Sequence, residues 1–196
     1  MGLANTAVTL EQHYTYEDYI KWDDENRWEL IDGVPYMMSA PNREHQAISM
    51  SLGSTFHQFL KGKSCSVYAA PFDVRLNPDK GNDTVVQPDL LVVCNPSKLD
   101  KAGAKGAPDL IVEIISPSSV KMDRLRKYNK YQQVGVKEYW VINPANRTVD
   151  VNILQDNGTY LLSNIYTAEE TIEVKTLEGL TIHLNEIFEP DPEATE

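Results

Sequence analysis

Cysteine is scarce in this 196-residue chain: there are two, Cys65 and Cys94, each inside an apolar, strand-like stretch. That spacing suits neither a zinc site nor a disulfide framework, so buried structural thiols and a reducing, cytoplasmic setting are expected. Long apolar runs are missing too. None approaches the roughly eighteen residues of a membrane span. The first residues also lack the basic start and apolar core of a secretory signal. Positive charge is short: 18 Lys and Arg stand against 29 Asp and Glu, a net charge of −11. Taken alone, that balance argues against nucleic acid, whose binding rests on neutralised phosphates.

The deficit is unevenly spread. Between Lys98 and Lys130 eight basic residues meet four acidic ones, a local +4 that leaves −15 for the rest. A basic face on an acidic body can still take a phosphate chain, although a solvated helix explains the charge equally well.

The length fits one packed domain: a flexible arm over 1–14, a domain over 15–189 and an acidic tail over 190–196. Thr15 is placed to cap a short helix through Trp22, with Asp18 in capping-box register. Two alternating runs flank Asp32-Gly33, the pair best suited to a two-residue hairpin turn. Pro41 and Asn42 open a helix to about Leu60. Its apolar stripe is Ile48, Leu52, Phe56 and Phe59, with His45 one turn nearer the start. Residues 65–76 read as a strand or hairpin arm and 95–106 as a loop. The runs VVQPDLLVV (85–93) and APDLIVEII (107–115) are almost continuously apolar, as strands buried on both faces require. A helix from about Met122 to Val134 stops at Gly135. Strand EYWVIN (138–143) follows, and then short alternating strands with a turn at Asp156-Asn157-Gly158. A helix between two buried strands implies a crossover and a mixed sheet. The fold class is therefore α/β, with a mixed central sheet flanked by helices and β-hairpins added at both ends.

Acids stand inside these apolar strands: Asp89 in the first run and Glu113 in the second. A buried carboxylate is costly unless it is paired or holds a metal. In neighbouring strands the two acids would converge on one hard cation, which prefers oxygen ligands. Each acid at a strand end, exposed or hydrogen-bonded to backbone, is the simpler alternative. Asp109 repeats the Pro-Asp pattern but sits at a strand start, so it reads as a cap. Tyr139 and Trp140 read as core or interface. Glu29 faces opposite to Trp28 and Leu30, which suits a solvated side chain, and His45 suits a satisfied core histidine.

Pro88-Asp89, then Glu113 in the next strand, then a lysine, resembles the PD-(D/E)xK nucleases, except that Ile115 stands where their lysine belongs. The block PDLIVEIISPSS, then residues 123–131 (DRLRKYNKY), then GVKEYWVINP, is similar to the Uma2 (DUF820) branch, as are Trp28 to Gly33 and His45. The likeness runs from about Thr15 to Glu189. It implies a restriction-endonuclease-like core in which the lysine has moved to the following helix, at Lys127. It further implies a metal-dependent endonuclease acting on phosphodiester bonds of DNA, with Asp89, Glu113 and Lys127 catalytic. Mg²⁺ or Mn²⁺ would be held by Asp89, Glu113 and the backbone carbonyl of Ile114, and Glu29 and His45 would border the pocket. Lys127 lies four residues from both Asp123 and Tyr131, and a surface pair with Asp123 is the plainer reading. Replacing Lys127 with Ala is expected to remove catalysis and leave folding intact. Duplex cutting calls for two sites or a monomer that reorients, and closed two-fold dimers are the commonest assembly, so a homodimer or higher homo-oligomer is expected. Two rivals stand beside the nuclease: a non-catalytic nucleic-acid-binding or regulatory protein, and a homo-oligomeric scaffold.

Overall fold

The computed structural model describes residues 12–116 and 122–188, with the side chains of 122–124 left out. The acidic tail, most of the expected N-terminal arm and the Asp123 side chain lie outside these residues. Within them the chain begins packing at Tyr14, which is buried and donates its N–H to the Gly33 carbonyl at 2.9 Å. Helix α1 (Tyr16–Tyr19) follows, shorter than expected. Asp18 accepts from the Thr15 N–H at 3.0 Å, as the capping box requires.

Strands β1 (Trp28–Ile31) and β2 (Val34–Met37) form the predicted hairpin. Asp32 and Gly33 both take positive φ, 51° and 73°, as a type I′ turn demands. Helix α2 (Arg43–Leu60) starts at Asn42, whose side chain accepts from the His45 N–H at 2.8 Å. Strand β3 (Ser66–Ala69) leads to β4 (Val74–Arg75), β5 (Val85–Val86) and β6 (Leu90–Val93). The presumed loop 95–106 instead holds a 3₁₀ turn and two short strands, β7 (Leu99–Asp100) and β8 (Gly103–Lys105). After β9 (Leu110–Ile114) comes a π-helical stretch, Met122–Lys127, that runs into α3 (Tyr128–Val134). The predicted helix is thus only half α-helical. It ends at Gly135 in the left-handed region, as expected. The remaining strands are β10 (Glu138–Asn143), β11 (Thr148–Leu154), β12 (Tyr160–Thr167), β13 (Thr171–Glu173) and β14 (Thr181–His183).

The expected mixed sheet exists, but the strands divide between two. The order is β2-β1-β5-β4-β8-β7 in one and β12-β11-β10-β9-β6-β3 in the other, with β13 and β14 paired separately. The division falls inside the run read as one strand over 85–93. Pro88 has no N–H for a ladder, so β5 pairs with β1 and β4 while β6 pairs with β3 and β9. Strands β9 and β10 are parallel, with the Met122–Val134 helical segment in the crossover.

Alternation assigns the two faces of the second sheet. Leu90, Val92, Val112, Ile114 and Trp140 pack in one core with Ile48, Leu52 and Phe56 of α2. Leu91, Ile111, Tyr139 and Val141 pack in another with Tyr131 of α3. Tyr139 and Trp140 are core residues, as expected. At Gly53 a Cβ would stand 3.2 Å from Leu90 Cδ2, so α2 packs tightly on β6 there and a larger residue would require Leu90 to shift by a few tenths of an ångström. The expectation of two buried thiols is overturned. Cys65 and Cys94 follow the Ser66–Val93 pair on the antiparallel β3–β6 ladder and are joined by a disulfide. Facing positions on two separate runs leave no mark in cysteine spacing, and the cysteine argument for a reducing compartment goes with it. Among the described residues, no helix is long and apolar enough to cross a membrane.

Candidate active site

Glu113 occupies the middle of β9 between Val112 and Ile114, which face α2, so alternation turns it toward α3. There its Oε1 accepts from Lys127 Nζ at 3.0 Å and from the Tyr131 hydroxyl at 2.6 Å. Lys127 and Tyr131 stand four residues apart where π-helix gives way to α-helix, and both reach the same oxygen. The lysine also bridges to Glu29 Oε1 at 2.9 Å. The side chains of Lys127, Glu29 and Glu113 are only 3%, 4% and 5% exposed. Burying such charges without partners is prohibitive; here each is held by an opposite charge and further hydrogen bonds.

Asp89 enters from the neighbouring strand. Continuing the Leu90–Val112 register by one step sets Asp89 opposite Glu113. Its Oδ2 accepts from the Ile114 N–H at 2.7 Å and lies 3.1 Å from His45 Nε2. Asp89 and His45 side chains are 15% and 14% exposed, so the cluster opens to solvent at their end. The other ring nitrogen of His45, Nδ1, is buried without a hydrogen-bond partner among the described residues.

A second ring of polar groups, not singled out from sequence, fixes Glu29. The Gln87 N–H donates to Glu29 Oε1 at 2.8 Å. The Gln87 side chain accepts from Arg27 Nη2 at 2.6 Å and donates to Tyr19 Oη at 3.0 Å and to Asp73 Oδ1 at 2.9 Å. Gln87 sits where the Pro88 break parts the two sheets. A glutamine inside an apolar strand was the available signal. Burial, with the carboxylates Glu113 and Glu29 nearby, pushes the Tyr131 hydroxyl well above its ordinary range, so it stays a donor at any working pH. Asp109 is the structural residue expected: its Oδ2 accepts from the Cys94 N–H at 2.8 Å and its Oδ1 pairs with Lys137 at 2.7 Å.

A family model described as "Putative restriction endonuclease", Uma2, matches residues 16–185. The chain belongs to the Uma2 family. An uncharacterized protein from Synechocystis is 26% identical over 175 residues, covering 88% of this chain and 90% of the relative. A solved structure titled as a putative nuclease belonging to DUF820, from Anabaena variabilis, superposes with a TM-score of 0.71. It is 18% identical, with 89% of this chain and 97% of that one covered, a likeness of fold.

In this Uma2 chain the fold gathers all the residues singled out from sequence, the backbone of Ile114 included. Glu29 is the largest change, since the face opposite Leu30 is covered by the helical crossover and is not solvated. The oxygen set fits a hard divalent cation in kind. In an extended strand the N–H and C=O of one residue point to the same side, so the Ile114 carbonyl points with its N–H toward Asp89. The residue level with it is Pro88, which has no N–H to offer that carbonyl. Among the described residues no group of three or more His, Cys, Asp or Glu side chains is gathered to hold a metal. The expected set is two carboxylates and a carbonyl, which such a group does not represent.

Proposed function

We propose that this Uma2 protein is a metal-dependent endonuclease hydrolysing phosphodiester bonds of DNA. The observation that carries the proposal is the buried Lys127, held by Glu29 and Glu113, with Asp89 at the head of β6 accepting the neighbouring Ile114 N–H. In that reading Asp89, Glu113 and the Ile114 carbonyl hold Mg²⁺ or Mn²⁺, whose chemistry is polarisation of a phosphoryl oxygen and acidification of a bound water. The chain's own residues do the positioning. Lys127 presents a fixed ammonium to charge developing on the phosphate, and a preorganised donor in a dry site costs no reorganisation at the moment of reaction. Glu29, anchored by the Gln87 N–H, aims the lysine. Tyr131 holds one oxygen of Glu113. His45 orients Asp89 at the open end. A two-fold dimer would set two such sites on opposite strands, and light scattering that gives a monomer mass at micromolar protein removes that part.

Calorimetry with Mg²⁺ and Mn²⁺, paired with cleavage of plasmid and linear DNA, tests the reading on wild type and Asp89→Ala. We expect metal binding and turnover in wild type and neither in the variant. Absence of divalent-dependent turnover, or an Asp89→Ala protein as active as wild type, overturns it. Nucleic-acid binding with no turnover under any metal would favour the non-catalytic reading, which the full charge pairing of Lys127 also suits.

A further inference from the structure

The outer face of β1 continues past Glu29 into a cleft of about 430 Å³ that the catalytic reading does not use. Its lining includes Ile31, Asp32, Tyr36, Arg126, Asn129 and Lys130. Glu29 and Ile31 share one side of the strand, and Tyr36 is the register partner of Glu29. The cleft is therefore the direct extension of the site, two residues or about 7 Å along the hairpin. The helical crossover spans it twice. Lys127 meets Glu29 in the interior, and three residues on Lys130 meets Asp32 at the surface. The inner pair is sealed, whereas the outer one is open: Lys130 is 22% exposed and Asp32 60%. An exposed pair of this kind is worth little, so its carboxylate is readily exchanged for another anion. Arg126 immediately precedes Lys127 in the chain, and its guanidinium stands over the Tyr36 ring at 4.9 Å. A guanidinium held over a ring still has N–H donors for a forked phosphate contact.

We propose that this cleft seats the phosphodiester backbone of one nucleic-acid strand running out of the catalytic cluster. Arg126 and Lys130 each take a phosphate, and Asp32 serves as the anion that the strand displaces. The proposal rests on the nuclease reading for its ligand. It explains how a chain with a net charge of −11 engages a polyanion: two cations stand beside the site, one of them masked by a carboxylate until the strand arrives. Backbone contacts of this kind hold and orient without reading sequence.

The test is fluorescence anisotropy of a fluorescein-labelled single-stranded oligodeoxynucleotide and its duplex, without added divalent metal, over a range of KCl. Inorganic phosphate serves as a competitor at constant ionic strength. Each lost phosphate contact lowers the log–log salt slope by about 0.7 on a single strand, so Arg126→Ala/Lys130→Ala should lose about 1.4. Asp32→Asn should tighten binding about two- to fivefold, the scale of an exposed pair released. A purely structural Lys130–Asp32 pair would give no gain in that variant. Both variants should melt like wild type, since Arg126 and Lys130 are not core residues. An unchanged slope in the double variant, weaker binding by Asp32→Asn, or no salt-dependent binding by wild type overturns the proposal. Full displacement of the strand by millimolar phosphate also overturns it, because the cleft would then be a simple anion site. The two readings fail separately. Normal strand binding by the cleft variants, with metal and turnover lost in Asp89→Ala, removes the cleft alone. A slope lost in the double variant, with no metal binding or turnover in wild type, removes the nuclease alone.

Discussion

Lys127 carries a structural load as well as a proposed chemical one, and its removal has a calculable cost. Its ammonium lies 2.9 Å from Glu29 and 3.0 Å from Glu113, with all three side chains almost fully buried. In Lys127→Ala both carboxylates remain inside. Glu29 keeps the Gln87 N–H and Glu113 keeps the Tyr131 hydroxyl, but the shared counter-charge is gone. Breaking a buried pair by removing one partner costs about 3–5 kcal/mol. At about 2–4 °C per kcal/mol for a domain of this size, the melting temperature should fall by roughly 6–20 °C. The expectation drawn from sequence, that this variant folds undisturbed, is replaced. Lys127→Met separates charge from cavity, because it fills most of the space and should lose nearly as much. Adding Glu29→Gln to Lys127→Met should recover part of the loss, with a coupling of about 0.5–3 kcal/mol. Calorimetric melting of wild type, Lys127→Ala, Lys127→Met, Glu29→Gln and the double variant gives these values. A Lys127→Met protein melting within about 2 °C of wild type would refute the buried charge bridge. Turnover of every lysine variant must be read below its melting onset, where lost activity reflects the site and not the fold.

Tyr131→Phe removes the 2.6 Å hydrogen bond to Glu113 and should cost about 1–3 kcal/mol in urea denaturation; an unchanged midpoint would show that the hydroxyl is dispensable. Burial alone would raise the Asp109 carboxyl, but the Lys137 ammonium and the Cys94 N–H more than offset it and hold it below its ordinary range. A depressed carboxyl stabilises above its unfolded value and loses that contribution as pH falls through the folded one. The advantage of wild type over Asp109→Asn should therefore be full at neutral pH and shrink below about pH 4; urea midpoints that differ equally at pH 7 and pH 3 would contradict it. Reducing Cys65–Cys94, 29 residues apart, should cost roughly 3–4 kcal/mol on the loop-entropy scale, and Cys65→Ser/Cys94→Ser should match the reduced protein. Coincident denaturation of oxidised and reduced protein would show that the bond adds nothing.

What the sequence made legible, and what it hid, divide along one line: short-range chemistry against long-range facing. The Asp32-Gly33 turn, the Asn42 start of α2 and the Gly135 stop of α3 are written in neighbouring residues, and each stands where the pattern put it. That Asp89 and Glu113 each hold polar partners was readable because both interrupt apolar runs, a placement whose cost demands a partner. Alternation alone misled for Glu29. It fixed the face of the strand but not what covers that face, and the cover is supplied by a crossover nearly a hundred residues later in the chain. The disulfide is the same case, since two cysteines become partners only once β3 and β6 are paired. Pro88 shows how one local feature decides a long-range one. By breaking the run over 85–93 it sends β5 and β6 to different sheets, leaves the Gln87 N–H for Glu29, and sets Asp89 at the head of β6 opposite Glu113. The Pro-Asp pair is therefore the hinge on which the candidate site is assembled: the proline has no N–H to give the Ile114 carbonyl, and the aspartate side chain accepts the Ile114 N–H.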